Sequence, residues 1–151
     1  MKTILIAIIN LIIFTSFSTY AQVYQLPNGG FEIWDGTDSD DEPTNWNGFP
    51  SAECTLFLGC GTATATRHAK STDTRPGSGG SYSCKIYATS ALGIIANGNI
   101  STGQIRIGST TATNFEENYN ITRSTNAEFK QSLNAKPDSI RFWAKFVCPS
   151  T

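Results

Sequence analysis

The sequence has few charged residues and only one histidine and one methionine. Lys and Arg number 11, Asp and Glu number 12, and the formal net charge is −1. A surface that binds nucleic acid or anionic lipid needs concentrated basic side chains, and this composition excludes such a field. The single histidine, His68, has no evident nucleophile or second ligand nearby in the sequence. We therefore do not assign it as a catalytic base or as part of a zinc site.

Long apolar runs are also absent, except at the N terminus. Residues 4–14 are apolar apart from Asn10, follow a single Lys, and lead through small and polar residues to Ala21. This pattern predicts a signal peptide over residues 1–21, and the run is too short for a bilayer span of roughly 20 residues. Loss of Lys2 leaves an exported chain, residues 22–151, with 10 basic and 12 acidic side chains. We expect a protein that is secreted or held at the cell surface; an uncleaved anchor is the alternative.

Helix signals are scarce, and the clearest element is a predicted strand over residues 138–148. One side of this strand would carry Ile140, Phe142, Ala144, Phe146 and Cys148, and the other Arg141, Trp143, Lys145 and Val147. Such alternation is typical of a half-buried strand. We predict that Phe142 and Phe146 face the core, and that the strand lies inside a sheet with neighbours on both edges.

Further strands are predicted over residues 31–34, 81–88, 92–96 and 103–108, with a hairpin-type turn at residues 97–99. The polar region 109–134 should add one or two edge strands. Asn99 and Asn120 begin N-x-Ser/Thr sequences of the glycosylation type. These elements predict an all-β protein, an antiparallel β-sandwich of the jelly-roll class. Since such sandwiches usually have eight or more strands, we expect a domain truncated at its C terminus or completed by a partner.

All four cysteines lie in the predicted exported part, where thiols are usually oxidised. Three pairings are possible. We favour Cys54–Cys60, a short loop closure, and Cys84–Cys148, because both of the latter occupy the apolar face of a predicted strand. A zinc site is the competing interpretation, and the sequence contains no C-x-x-C pair to support it.

A succession of short motifs resembles a known family. The motifs are Asn28-Gly29-Gly30-Phe31-Glu32-x-Trp34, Pro43-x-x-Trp46, Gly80-Ser81-Tyr82-Ser83-Cys84-Lys85, Gly93-Ile94-Ile95-Ala96-Asn97-Gly98 and the run from Lys136 to Phe146. Together they resemble the first two-thirds of a carbohydrate metabolism domain, a galactose-binding-like jelly roll of secreted and surface proteins in polysaccharide-degrading bacteria. The four cysteines are not part of that family pattern.

The resemblance implies a structural calcium ion. In related jelly rolls, the Glu of the opening strand and backbone oxygens of a Gly-Ser turn bind calcium, which implies Glu32, Gly80 and Ser81 here. A later acidic ligand would lie beyond Thr151. The acidic loop over residues 35–42 matches a calcium-binding loop only loosely, and we interpret it as a solvated turn.

Three functions remain open from the sequence. The first is a non-catalytic carbohydrate-binding or adhesion module, possible because sugar rings stack on aromatic side chains. Its predicted platform comprises Trp143, Arg141, Lys145, Tyr87, Trp34 and Trp46, with a polysaccharide or glycan as partner. The second is a glycoside-active enzyme, which needs two carboxylates roughly 5–10 Å apart; Glu53, Glu116 and Glu117 are candidates, but no pattern pairs them. The third is a structural part of a larger surface protein.

Overall fold

The computed structural model of the protein describes residues 26–36, 41–91, 93–133, 136–137 and 139–148. The predicted signal peptide lies outside these ranges. In the described chain the elements are β1 (Glu53–Cys54), α1 (Cys60–Ala63), β2 (His68–Ser71), β3 (Ser83–Ile86), β4 (Thr89–Ala91), β5 (Ile94–Ala96), β6 (Gln104–Ile107) and β7 (Asn118–Ile121). Strands dominate and the helix is a single turn, so the predicted all-β class is confirmed.

The described strands form three small, open sheets. Strand β6 is central in the largest, with β1 parallel on one edge and β7 antiparallel on the other. Strand β2 pairs with β3, and β4 pairs with β5, both antiparallel. The two-layered jelly roll is therefore not established by these sheets and stays a prediction.

Strand β6 follows the predicted alternation. Ile105 is only 4% exposed and lies on the side opposite Arg106. Across the sheet, Arg106 lies opposite Glu53 on β1 and Tyr119 on β7, which places their side chains on one face. Strand β7 is the edge strand expected in the polar region 109–134.

The strand predicted over residues 92–96 is present as β5, and it forms the second half of a hairpin. Strands β4 and β5 pair with each other, and Gly93 has a φ of 75°, the left-handed conformation that the tight connection requires. The predicted hairpin turn at residues 97–99 is wrong. A Cβ at Gly98 would lie 2.6 Å from the carbonyl oxygens of both Arg67 and Tyr87, so this segment packs closely on the backbone of its neighbours.

The predicted strand over residues 31–34 is reduced to one bridge, between Trp34 and Pro43. The Asn28 side chain fixes this segment instead. Its amide Nδ2 donates to the carbonyl oxygens of Ile33 (2.7 Å) and Thr44 (3.0 Å), and its Oδ1 accepts from the Ile33 N–H (3.1 Å). Side-chain hydrogen bonding of this kind commonly replaces a strand ladder at turns.

The strand predicted over residues 138–148 is wrong. Residues 139–148 form no helix or strand and are all exposed; Phe142 is 85% and Phe146 is 90% exposed. A strand is stabilised by a ladder of backbone hydrogen bonds, and no described strand pairs with this segment. Period-two alternation indicates that a segment can form a strand. A strand also needs a neighbouring strand with which to form backbone hydrogen bonds, and the alternation does not show whether one is present.

The described core is small and unusually polar. Ile105 and Phe129 are its buried hydrophobic residues, and Asn47, Arg67 and His68 are buried as well. Asn47 exchanges backbone hydrogen bonds with Ser101 (2.7 and 2.8 Å), and its side chain donates to the Glu128 carbonyl oxygen. Hydrogen bonds replace those lost to water at Asn47 and Arg67, whereas His68 Nδ1 is buried and has no hydrogen-bond partner among the described residues.

Candidate ligand-binding site

Two of the predicted platform aromatics, Trp34 and Trp46, stabilise the N-terminal part of the described chain. The Trp34 indole N–H donates to the Phe31 carbonyl oxygen (2.7 Å), and the Trp46 indole N–H donates to the Pro27 carbonyl oxygen (3.2 Å). The Trp46 and Phe31 ring centroids are 5.1 Å apart. Both tryptophans are partly buried, and these contacts hold the N-terminal turn in place.

The other predicted platform residues do not join them. Trp143 is 56% exposed in the segment 139–148, where Lys145 donates to Asp73 Oδ2 at 2.5 Å. Tyr87 is half-buried, and its hydroxyl donates to the Thr66 carbonyl oxygen (3.4 Å). Within the described residues, no ring contact links Trp143 to Tyr87 or to either supporting tryptophan. The exposed stripe of Arg141, Trp143 and Lys145 stays a predicted binding surface.

The three residues implied as calcium ligands do come together. Glu32 Oε2 accepts a hydrogen bond from the Ser81 N–H (3.0 Å), and Oε1 accepts one from the Tyr82 N–H (3.3 Å). A Cβ at Gly80 would overlap the Glu32 carboxylate, so the glycine permits this approach. The contact joins residues that are 49 apart in the chain.

These residues do not by themselves fit a calcium ion. Calcium takes six to eight oxygen ligands, usually from several carboxylates and carbonyls. Here Glu32 is the acidic side chain that the described residues place in hydrogen-bond contact with the turn, and both of its oxygens face backbone N–H donors. In the described ranges, no three His, Cys, Asp or Glu side chains cluster as a metal site would require. Calcium binding stays a prediction.

Substituting Glu32 tests the contact and the calcium prediction together. We expect Glu32→Ala to lower the free energy of unfolding by about 1 kcal/mol, because two charge-assisted hydrogen bonds at an exposed position are lost. Glu32→Gln, which keeps one acceptor oxygen, should lose less. Urea denaturation measures both values, and unchanged stability of Glu32→Ala would contradict the contact. A rise in Tm on adding Ca²⁺ that disappears in both variants would support the calcium prediction.

The predicted disulfide between Cys54 and Cys60 is confirmed. It joins strand β1 to the first residue of helix α1. Cys84 and Cys148 are free thiols, which differs from the predicted pairing. Because residues 139–148 pair with no described strand, Cys148 is exposed and is not brought into the sheet that contains Cys84.

The two free thiols should react at very different rates. Burial raises the pKa of the Cys84 thiol to about 12 from an ordinary value near 9.0. Since the thiolate is the reactive form, at pH 8 Cys84 should hold on the order of 1000-fold less of it than an ordinary thiol. We expect maleimide to label Cys148 rapidly and Cys84 only after unfolding, as followed by mass spectrometry of peptides. Equal labelling rates, or the absence of free thiols, would contradict the structure.

Two of the candidate catalytic carboxylates flank one arginine. Arg106 Nη1 lies 2.7 Å from Glu53 Oε1, and Arg106 Nη2 lies 3.8 Å from Glu117 Oε2. Glu53 also pairs with Arg123, whose Nε donates to Gln104 Oε1 (2.8 Å). This network links strands β1 and β6 with residues on either side of β7, and ion pairing accounts for the positions of both carboxylates. Glu116, the third candidate, is exposed.

A cleft of about 380 Å³ lies beside the central sheet. Its apolar lining includes Ile105 and Ile107 from β6, Ile94 and Ile95 from β5, and Phe49. Ligand sites commonly have volumes of roughly 300–1,000 Å³ and combine apolar walls with a few polar groups. The cleft is therefore large enough to hold a small ring-shaped ligand.

Polar groups of the cleft come from two neighbouring segments. Asn97 and Asn99 follow strand β5, and Asn120 belongs to strand β7. Asn99 Nδ2 donates to Asn120 Oδ1 at 3.1 Å. An asparagine side chain offers two donor hydrogens and one acceptor oxygen, so this pair can make further hydrogen bonds to a ligand. Both side chains lie at the surface, where a ligand can reach them.

Arg67 also lines the cleft, although it is only 1% exposed. Its Nη1 donates to the carbonyl oxygens of Ala63 (2.8 Å) and Ala65 (2.9 Å), and its Nη2 donates to that of Thr62 (3.1 Å). Its Nε donates to Thr89 Oγ1 (3.0 Å). The guanidinium thus caps the C-terminal end of helix α1, where the last carbonyl oxygens have no N–H partner within the helix.

The groups around Arg67 affect the pKa of its guanidinium. Burial lowers the pKa of the guanidinium, and the nearby Tyr87 acts in the opposite direction. The Phe49 ring covers the guanidinium, with 4.7 Å between Cζ and the ring centroid. Because an arginine side chain stays protonated in proteins, the cleft has a fixed positive charge in its wall.

Sequence reasoning missed the cleft. The sequence marks Asn99 and Asn120 only as the start of glycosylation-type sequences, and it gives no signal for Arg67. The repeated asparagines in Asn97-Gly98-Asn99 and Asn118-Tyr119-Asn120 were the available signal. They become meaningful only when the segment after β5 and strand β7 are known to line the same cleft, which no local pattern indicates.

Comparisons with protein families, curated proteins and solved structures found no match to this chain. In the part of the chain that the structure describes, no helix has the length and apolar character needed to cross a membrane. The all-β class, the Cys54–Cys60 disulfide and the cleft are thus the features on which a functional proposal must rest.

Proposed function

We propose that this chain is a secreted, non-catalytic carbohydrate-binding module of the jelly-roll class and that a glycan binds in the cleft beside β6. The cleft is the single observation that carries the proposal, because it combines apolar walls with exposed side-chain amides. Sugar-binding sites need both, since sugar rings have apolar faces and hydroxyl groups that require hydrogen-bonding partners.

Secretion and the jelly-roll class are supported by separate features. The N-terminal run over residues 4–14 has the pattern of a signal peptide, and the Cys54–Cys60 disulfide is typical of an oxidising compartment. The motif succession that resembles a carbohydrate metabolism domain supports both the jelly roll and a glycan partner. Further domains of a larger polysaccharide-processing protein would agree with the same resemblance.

The cleft is favoured over the stripe of Arg141, Trp143 and Lys145 because its groups converge. The walls from β5 and β6 and the amides of Asn99 and Asn120 surround one volume. The exposed stripe lies along a single extended segment that has no described strand beside it. A ligand that is enclosed on several sides loses more water-exposed apolar area than one lying on a single strip.

A glycan array followed by calorimetry on the best ligand tests this proposal. We expect Asn99→Ala and Asn120→Ala each to weaken binding roughly three- to tenfold, the effect of one lost hydrogen bond. Asn126→Ala, at an exposed position outside the cleft, is the matched amide control, and Trp143→Ala tests the stripe. Binding lost in Trp143→Ala but retained in the two cleft variants would contradict the assigned location. Release of reducing sugar from a polysaccharide would contradict a non-catalytic role.

A further inference from the structure

The charge of the cleft is one-sided. Arg67 and Arg106 are charged residues in its lining, and no acidic residue accompanies them within the described residues. Arg106 is balanced by Glu53 and Glu117, as its two ion pairs indicate. Arg67 differs from Arg106 in its ion pairing, and this difference determines which ligand charge the cleft favours.

Arg67 has no acidic counter-ion in the described part of the chain. Its acceptors are three backbone carbonyl oxygens and the Thr89 hydroxyl, which are dipoles without net charge. These satisfy no more than four of its five N–H groups, so one N–H of Nη2 has no described acceptor. At 1% exposure the guanidinium is also poorly neutralised by solvent ions.

An uncompensated buried cation in a cleft wall favours an anionic ligand. Charge interactions near a protein surface are several times stronger than in bulk water, because the effective dielectric constant is lower. The Phe49 ring lies over the guanidinium and limits the access of water to it, which strengthens the effect. The asparagine pair at the opening can bind hydroxyl groups of the same ligand.

From this charge balance and the convergent amides we infer that the cleft selects acidic sugars, with the carboxylate of a uronic acid lying toward Arg67 and its hydroxyl groups toward Asn99 and Asn120. The inference rests on the proposed glycan-binding function and specifies its ligand class. It predicts selectivity between two sugars that differ only in charge.

Oligogalacturonate and its methyl ester provide that comparison, because they share one backbone and differ in the charge of the carboxyl group. We expect the wild-type chain to bind the acid roughly tenfold more tightly than the ester at 20 mM salt. Raising the salt concentration to about 300 mM should weaken binding of the acid several-fold and leave the ester nearly unchanged. Isothermal titration calorimetry measures both.

Variants at Arg67 locate the charge. Arg67→Gln should remove the preference for the acid, and Arg67→Lys, which keeps the cation, should retain most of it. The comparison of acid with ester in the wild-type chain does not depend on whether these variants fold. Equal affinity for acid and ester would overturn the acidic-sugar inference while leaving glycan binding intact. No binding of either sugar, together with an empty glycan array, would overturn the proposed function itself.

Discussion

Replacing Arg67 with methionine is expected to lower the free energy of unfolding by about 3 kcal/mol. Methionine has a similar length but donates no hydrogen bond, so the carbonyl oxygens of Thr62, Ala63 and Ala65 lose their contacts with the guanidinium. A hydrogen bond from a charged group contributes about 1.5–3 kcal/mol, and removal of the desolvated cation together with water at the partly exposed carbonyls offsets part of the summed loss. Chemical denaturation followed by intrinsic fluorescence measures the difference.

Two further variants control this prediction. Arg67→Lys keeps a cation but cannot reach all of the carbonyls at once, and we expect it to lie between the wild type and Arg67→Met. Arg75→Met removes an arginine at an exposed position and should change stability by less than about 0.5 kcal/mol. If Arg67→Met is as stable as Arg75→Met, Arg67 does not hold the end of helix α1.

Replacing Gly98 with alanine is expected to cost about 2–3 kcal/mol. The added Cβ would lie 2.6 Å from the carbonyl oxygens of Arg67 and Tyr87 and 2.5 Å from a methyl carbon of Ile86. Two of these atoms belong to the backbone and cannot move aside as a flexible side chain would, so the segment itself must shift. Thermal denaturation measures the loss.

Gly79→Ala is the matched control, because nothing lies within 4 Å of its added Cβ. It should leave Tm unchanged or slightly raised, since alanine restricts the unfolded chain. Gly98→Ala should also weaken glycan binding, because Asn97 and Asn99 on either side line the cleft. Wild-type stability of Gly98→Ala would mean that residues 97–99 do not pack on the backbone of Arg67 and Tyr87.

Local patterns in the sequence predicted several elements correctly. The alternation of residues 103–108 predicted strand β6 and the burial of Ile105, and the short spacing of Cys54 and Cys60 predicted their disulfide. The resemblance implied that Glu32 and the turn at residues 80–81 share a calcium ion through backbone oxygens; the two do lie together, but the turn contributes backbone N–H groups. In each case a short segment, or a motif with a fixed partner, contained the necessary information.

The remaining features depend on contacts that local patterns do not indicate. Residues 139–148 have a strand pattern, but whether a strand forms depends on a neighbouring edge elsewhere in the chain. Arginine is seldom fully buried, so nothing in the sequence distinguished Arg67 from a surface residue. Its burial depends on where α1, Phe49 and β4 meet. The cleft is for the same reason a property of tertiary structure.

The position of the bound glycan is measured most directly by NMR. Titrating the ¹⁵N-labelled chain with oligogalacturonate should shift the backbone amides of residues 94–97, 99, 105–107 and 118–120, which line the cleft. Amides of residues 140–147 should stay unchanged. Shifts confined to residues 140–147 would contradict the cleft and assign the glycan to the exposed aromatic stripe.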